Sequence, residues 1–314
     1  MKISSEGDSF TVFDKLVELK LSNCRCCEEL PRLGHLPRLK TLIIEGMPNI
    51  RCIGNEFYGI DSGSTSNGGR LFPALKKLYF NDMTSLVEWK APPVDEGGET
   101  SVFSCLEKLS IKNSPRLAKI PLSDSSSLVT LKIENCEELS YLCEELQVHS
   151  FPSLKSITIR ECHKLIWLPS GLKSFTSLES LVIRYCHGLT SVPEYLGELH
   201  SLRFLEITYC GSLSYFPETI LGGLTRLREL RIGNFSEELD SFAYLNLIQD
   251  LSSLESLTIY GDCTDRIKCL PDQLQRLTAL NSLSILYFYG LEALPEWLGN
   301  LRLFKFLKLG VVRI

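Results

Sequence analysis

Two cysteine–histidine pairs, Cys162-His163 and Cys186-His187, stand 24 residues apart. Two thiolates and two imidazoles form a sufficient donor set for a tetrahedral zinc site. A denser group, Cys24-Arg25-Cys26-Cys27, has the residue types for redox or metal chemistry. The spacing argues against zinc. A cysteine whose side chain enters a core leaves the next residue pointing elsewhere, so each pair reads as a core thiol beside a solvent-facing imidazole. Other catalytic patterns are missing: there is no His-Glu-x-x-His, no Gly-x-Ser-x-Gly and no EF-hand loop. The Gly-rich stretch Gly63-Ser-Thr-Ser-Asn-Gly68 is followed by Gly69, where a phosphate-cradling loop requires lysine. The expectation is a chain with no catalytic residue, no metal and no cofactor.

What must position these residues is a repeat. Leu154-Lys-Ser-Ile157-Thr-Ile159-Arg-Glu-Cys162 is echoed by Leu178 to Cys186 and again by Leu202 to Cys210, at steps of 24 residues. Aligned on its first apolar position, the pattern recurs twelve times, from Leu16, Leu39, Leu75, Leu106, Leu128, Leu154, Leu178, Leu202, Leu227, Leu254, Leu280 and Phe304. A period in the twenties carrying L-x-x-L-x-L-x-x-N/C-x-L specifies a leucine-rich repeat. The expected fold is an α/β solenoid, a horseshoe of about twelve repeats with a parallel sheet on the concave face and irregular, 3₁₀ or short helical convex returns. Within each strand, positions four and six point inward while three, five and seven point outward. Leu181 and Ile183 are therefore expected to be buried, and Ser180, Val182 and Arg184 exposed.

Seven repeats carry an apolar residue and proline after the strand, as in Val192-Pro193 and Leu294-Pro295. Proline cannot donate to a ladder, which places it on the return. Pro193-Glu-Tyr-Leu196-Gly-Glu-Leu199 reads as a short helical or 3₁₀ turn. The repeat domain is expected over 16–314, after a polar tail at 1–15. Two long steps carry Gly-, Ser- and acid-rich insertions near 51–72 and 90–103, read as tolerated surface loops. Neither end has a polar cap, so the chain reads as part of a larger protein.

Twelve cysteines raise the question of disulfides. Cys24, Cys136, Cys162, Cys186 and Cys210 all occupy position nine of a repeat. Stacked side chains point in parallel and not at one another, so these are expected to be reduced core thiols in a reducing compartment, the cytoplasm with the nucleus also open. The formal net charge of −5 lacks the basic excess of a nucleic-acid binder. No apolar stretch approaches the roughly 20 residues needed to span a bilayer, and the N-terminus shows no secretory h-region.

The columns between the leucines are where specificity can reside. Position seven gives Arg160, Arg184, Thr208, Gly233, Tyr260 and Leu286; position eight gives Glu161, Tyr185, Tyr209, Asn234, Gly261 and Tyr287; Phe204 occupies position three. Tyrosine and arginine combine contact area with a polar end, the composition of interface hot spots. The candidate protein-binding residues are therefore Arg160, Arg184, Tyr185, Phe204, Tyr209, Tyr260 and Tyr287.

The run Leu178 through Leu196, like Leu154 through Leu172, resembles the repeat L-x-x-L-x-L-x-x-C-x-x-L-x-x-L-P-x-x-L of plant intracellular nucleotide-binding leucine-rich-repeat immune receptors of the coiled-coil class. Phe72-Pro-Ala-Leu75-Lys-Lys-Leu78, Leu86-Val-Glu-Trp89 and Ile53-Gly-Asn-Glu-Phe-Tyr-Gly59 are similar to that family's irregular repeats. The resemblance implies a domain that holds a receptor off and recognises a pathogen effector or a guarded host protein, with an intramolecular contact to a nucleotide-binding domain. The switch loop itself is missing here. The substrate-recognition repeat of an F-box ubiquitin-ligase subunit also uses cysteine-ended repeats, but with a Thr-Asp-x-Gly-Leu return. An extracellular ectodomain would favour asparagine in the column and Gly-x-Ile-Pro returns.

Overall fold

The computed structural model describes residues 13–60, 70–91, 102–121, 126–140, 151–168, 172, 175–217, 219–239, 247–261 and 267–310. It divides into two compact units, residues 1–154 and 155–314.

In the first unit, strands β1 (Glu18–Ser22), β2 (Thr41–Glu45), β4 (Lys77–Asn81), β6 (Lys108–Lys112) and β7 (Thr130–Glu134) pair in that order, all parallel. Each begins at the third position of a repeat. Leu42, Leu78, Leu109 and Leu131 fill one inward column, and Ile44, Phe80, Ile111 and Ile133 fill the next; all eight are buried. The irregular motifs make a second layer behind this sheet. A two-residue strand β3 (Cys52–Ile53) pairs with β5 (Glu88–Trp89), and a single helical turn α1 (Asn55–Tyr58) follows β3. Phe57, Tyr58, Phe72, Phe80, Trp89 and Phe103 pack ring against ring at 5.0–6.4 Å. Burying a phenol and an indole requires partners for their polar atoms. Trp89 Nε1 donates to Tyr58 Oη at 2.9 Å, and Tyr58 Oη donates to the Lys90 carbonyl at 2.9 Å. Residues 61–69 and 92–101, the heart of the two expected insertions, lie outside the described residues, as do 1–12 of the expected tail.

In the second unit, β8 (Ser156–Arg160), β9 (Ser180–Arg184), β10 (Phe204–Thr208), β11 (Glu229–Gly233), β12 (Ser256–Tyr260), β13 (Ser282–Leu286) and β14 (Phe306–Gly310) form one parallel sheet in chain order. The register is rung to rung, with Leu181 opposite both Ile157 and Leu205. The returns follow the prolines: 3₁₀ turns at Glu194–Glu198, Asp272–Arg276 and Glu296–Asn300 each start directly after Pro193, Pro271 or Pro295. A helical turn, α2 (Ile220–Gly223), fills the same place after Pro217. The solenoid reading holds in both units, with one correction on the outward face. Val182 is buried there, not exposed, and so is its register partner Glu206. That stretch of the face is packed by its own long side chains.

Most of these strands end in a second hydrogen-bonded rung. The position-eight N–H donates to the position-seven carbonyl of the next repeat, as in Tyr185 to Thr208 at 3.1 Å and Asn23 to Glu45 at 2.8 Å. To reach it the backbone turns left-handed, with φ between 51° and 65° at Asn23, Gly46, Asp82, Asn113, Asn135, Glu161, Tyr185, Tyr209, Asn234 and Tyr287. The turn drives position nine inward. There the thiols of Cys24, Cys136, Cys162, Cys186 and Cys210 each donate to the carbonyl two residues earlier at 3.4–3.6 Å, and Ser114 Oγ does the same at 3.3 Å. In these six repeats position nine holds a small side chain with one donor, while Met47, Met83, Phe235 and Phe288 fill the same buried position elsewhere. The ten described cysteines are free thiols. Burial pushes Cys136 up to about 12 and Cys186 up to about 11, so neither is a thiolate at neutral pH.

Leu181 has no exposed surface. Leu181→Ala should destabilise the second unit by about 2–5 kcal/mol through lost transfer energy and an unfilled cavity. Chemical denaturation measures the loss, and limited proteolysis should open new cleavage sites first among the repeats flanking β9.

Candidate functional site

The left-handed turn has a conformational cost that depends on residue type. Asparagine, aspartate and glycine accept positive φ readily, whereas a bulky side chain pays roughly 1–2 kcal/mol. In the first unit position eight is filled by Asn23, Gly46, Asp82, Asn113 and Asn135, residue types suited to it. They also link sideways: Asn113 Nδ2 donates to Asp82 Oδ1 at 2.7 Å, and Asn135 Nδ2 donates to Asn113 Oδ1 at 3.1 Å. In the second unit the same position holds Tyr185, Tyr209 and Tyr287 at φ 56°, 57° and 64°. Backbone strain of this kind concentrates at functional sites.

The rings offset that cost against one another. Tyr185 stacks on Tyr209 with centroids 4.6 Å apart, Tyr209 meets Tyr260 at 5.1 Å, and Tyr260 faces Tyr287 at 6.4 Å. Each such contact contributes about 0.5–1.5 kcal/mol. Tyr209 and Tyr260 belong to repeats two steps apart. The position-seven residue of the intervening rung is Gly233, at φ 122°, and a β-carbon there would lie 2.0 Å from the Tyr260 carbonyl oxygen. The missing side chain lets the Gly233 and Tyr260 backbones approach closely.

Arginines lie on the rings. The Arg184 guanidinium is 4.9 Å from the Tyr185 centroid and 5.3 Å from that of Tyr209, and its Nη2 donates to Tyr185 Oη at 3.4 Å. Arg231 lies 5.3 Å over Phe204. Between the two arginines sits Glu206, 1% exposed although it is on the outward face. Its Oε1 is 3.7 Å from Arg184 Nη1, and its Oε2 is 3.9 Å from Arg231 Nη1. Thr208 Oγ1 donates to Oε1 at 3.2 Å. Arg231 also bonds Glu229 at 2.7 Å. A buried carboxylate needs paired charge and hydrogen bonds, and this one draws both cations inward over the aromatic rings.

Of the seven residues expected from the columns, Arg184, Tyr185, Phe204, Tyr209, Tyr260 and Tyr287 form this one connected face. Arg160 takes its place one rung before Arg184, its register partner. Glu206, Thr208 and Arg231 complete the face, and sequence reasoning did not select them. The signal was present in position five, where the charged pair Glu206 and Arg231 falls on adjacent rungs. Burial, then the neighbouring hydroxyls, pushes the Tyr209 phenol up; burial, then the Glu206 charge, does the same to Tyr260. These two rings therefore keep their protons at physiological pH and offer O–H groups that both donate and accept.

The cysteine–histidine pairs do not converge. Cys162 and Cys186 point into the core, while His163 and His187 stack on the surface at 5.0 Å and 12°. Among the described residues no group of three or more His, Cys, Asp or Glu is placed to hold a metal ion. Among the same residues no helix is long and apolar enough to cross a membrane.

Comparison with known proteins identifies the repeat family. A family described as "Leucine-rich repeat region" matches residues 94–314, and "R13L1/DRL21 LRRs" matches residues 4–47. Disease resistance RPP13-like protein 1 of Arabidopsis thaliana is 31% identical over 158 residues, half of this chain and 15% of that protein. Disease resistance protein RGA2 of Solanum bulbocastanum is 33% identical over 170 residues, 54% of this chain and 16% of that protein. The chain thus corresponds to a small part of these relatives. Among solved structures, the leucine-rich repeat domain of the type III effector XopL aligns with 93% of this chain and 76% of its own, at 20% identity and a TM-score of 0.51. This likeness is one of fold.

Two substitutions test the local physics. Gly233→Ala should cost about 1–3 kcal/mol, since its backbone conformation suits glycine alone. It should also part Tyr209 from Tyr260, visible as changed near-ultraviolet circular dichroism. His187 behaves differently. Gly211 N–H donates to its Nδ1 at 3.5 Å, which requires an unprotonated nitrogen. Burial, then the charge of His163, lowers its pKa below the ordinary 6.5. The unfolded chain therefore takes up this proton first, and stability falls as pH drops through and below 6.5. The thermal midpoint of the wild-type chain should fall on acidification from neutral pH more steeply than that of His187→Gln.

Proposed function

This chain belongs to the leucine-rich-repeat family, in the form found in plant disease-resistance proteins, and on that premise we propose that it is a non-catalytic protein-recognition and autoregulatory domain of such a receptor. Solenoids present extended binding surfaces, and leucine-rich repeats are protein-interaction modules. The reading takes residues 16–314 as the repeat domain and 1–15 as its tail, acting in the cytoplasm or nucleus on a larger receptor. Its partners are a pathogen effector or a guarded host protein, and the receptor's own nucleotide-binding domain.

One observation carries the choice of face. The second unit puts tyrosine where asparagine would be less strained, then gathers those rings with Arg184 on one outward patch. Asparagine or aspartate serves the same turn in the first unit at Asn23, Asp82, Asn113 and Asn135. Rigid rings with polar tips beside arginines have the composition of an interface hot spot. Arg160, Arg184, Tyr185, Phe204, Tyr209, Tyr260 and Tyr287 are the proposed contacts, and the partner presents an acidic or mixed surface.

The double variant Tyr185→Asn, Tyr209→Asn tests this without endangering the fold, because asparagine suits the left-handed turn and Arg184 stays paired with buried Glu206. Immobilised wild-type and variant chains would be exposed to the same infected-leaf extract, and retained proteins quantified by mass spectrometry. Hot-spot losses of about 2 kcal/mol or more predict that specific partners drop by roughly 30-fold. Equal retention by two equally folded chains would sink the assignment of this face.

A further inference from the structure

The cysteine column has one member that the core does not seal. Cys136, Cys162, Cys186 and Cys210 are fully buried, whereas Cys24 is half-buried and is followed by half-buried Cys27 and exposed Cys26. The intervening backbone is a β-turn: Cys27 N–H donates to the Cys24 carbonyl at 3.0 Å. A β-turn holds its first and fourth Cα atoms within about 7 Å, which overlaps the roughly 4.4–6.8 Å that a disulfide spans. The turn thus brings these two cysteines together at the surface of the first repeat, and Cys27 is among the neighbours that, after burial, disfavour ionisation of Cys24. No other described cysteine pair combines local backbone closure with access to solvent.

We propose that Cys24 and Cys27 form a reversible redox site that closes to an intramolecular disulfide when the chain meets hydrogen peroxide. Because the Cys24 thiol is engaged with the Ser22 carbonyl, Cys27 reacts first. Its thiolate attacks one peroxide oxygen, breaks the O–O bond and becomes a sulfenic acid, with hydroxide leaving as water after protonation. Cys24 Sγ then attacks Cys27 Sγ; the S–O bond breaks, and the Cys24 proton leaves with the hydroxyl as a second water. In total two thiols are oxidised to one disulfide, and one peroxide is reduced to two waters. A small dithiol reductant reverses the bond by thiol–disulfide exchange. Closure removes the Cys24 S–H that donates to the Ser22 carbonyl at 3.6 Å. It also ties the exit of β1 to the segment leading to buried Leu30. Cys24 is the member that packs and resolves; Cys26, pointing into solvent between them, takes no part.

The sequence provides a direct readout, because Arg25 separates the two thiols. Trypsin cleaves after Lys20, Arg25 and Arg32, so a Cys24–Cys27 bond leaves peptides 21–25 and 26–32 covalently joined. The full chain would be reduced, treated with one equivalent of hydrogen peroxide, alkylated and digested, alongside Cys26→Ser and Cys27→Ser. The expected result is loss of two of the twelve thiols, with the joined peptides seen in wild type and Cys26→Ser, absent in Cys27→Ser, and lost on reduction with dithiothreitol. Joined peptides that vanish in Cys26→Ser would assign the bond to Cys26 and overturn the proposal. So would a product consisting only of Cys26-linked dimers, or of sulfinic acid without any joined peptides.

Discussion

The left-handed residue that ends most of the strands is the constraint on which the structure depends. Its N–H reaches the next repeat's carbonyl, which extends the parallel ladder one residue past the strand. The same turn sends the following residue into the core and leaves the position-eight side chain at the edge of the outer face. Core composition and surface composition are therefore set by adjacent residues: a cysteine, serine, methionine or phenylalanine inside, and an asparagine or tyrosine outside. Neither can be moved without displacing the other.

That coupling explains why the two units differ. In the first, Asn113, Asn135 and Asp82 settle the turn cheaply and hydrogen-bond to one another along the edge. In the second, Tyr185, Tyr209 and Tyr287 hold the same backbone at a conformational cost, offset by ring stacking and by the Arg184 guanidinium. Glu206 then fixes the electrostatics of the face. Buried among Arg184, Arg231 and Thr208, it keeps two partly exposed cations close to the rings. On the proposed reading, this pre-organisation lowers the side-chain entropy lost when a partner docks.

The cysteines sort by the same geometry. In the sealed repeats the thiol serves as a small donor to a backbone carbonyl, and burial keeps it protonated. At the first repeat the position-nine residue is only partly covered, and a β-turn returns a second thiol to it. One residue type at one repeat position can thus be inert in the interior and reactive at the edge, with access and a neighbouring sulfur making the difference.

The sequence by itself determined the register of both sheets, because leucine and isoleucine at positions four and six leave only one face for the core. It also determined the prolines' place on the returns and the free state of the column cysteines. It identified six residues that meet on the aromatic face, since columns of a stacked repeat are columns in space. Only the tertiary structure decided how they meet. Glycine at position 233 reads in sequence as a gap, yet a side chain there would collide with the Tyr260 backbone on the next rung. Glu206 reads as an ordinary exposed acid, and long side chains from neighbouring repeats bury it. The aromatic motifs around Tyr58, Trp89 and Phe103 suggested irregular repeats, but their shared packing required a second layer that no period describes. These features arise from contacts between side chains of different repeats, which periodicity can align but whose rotamers and burial it does not specify.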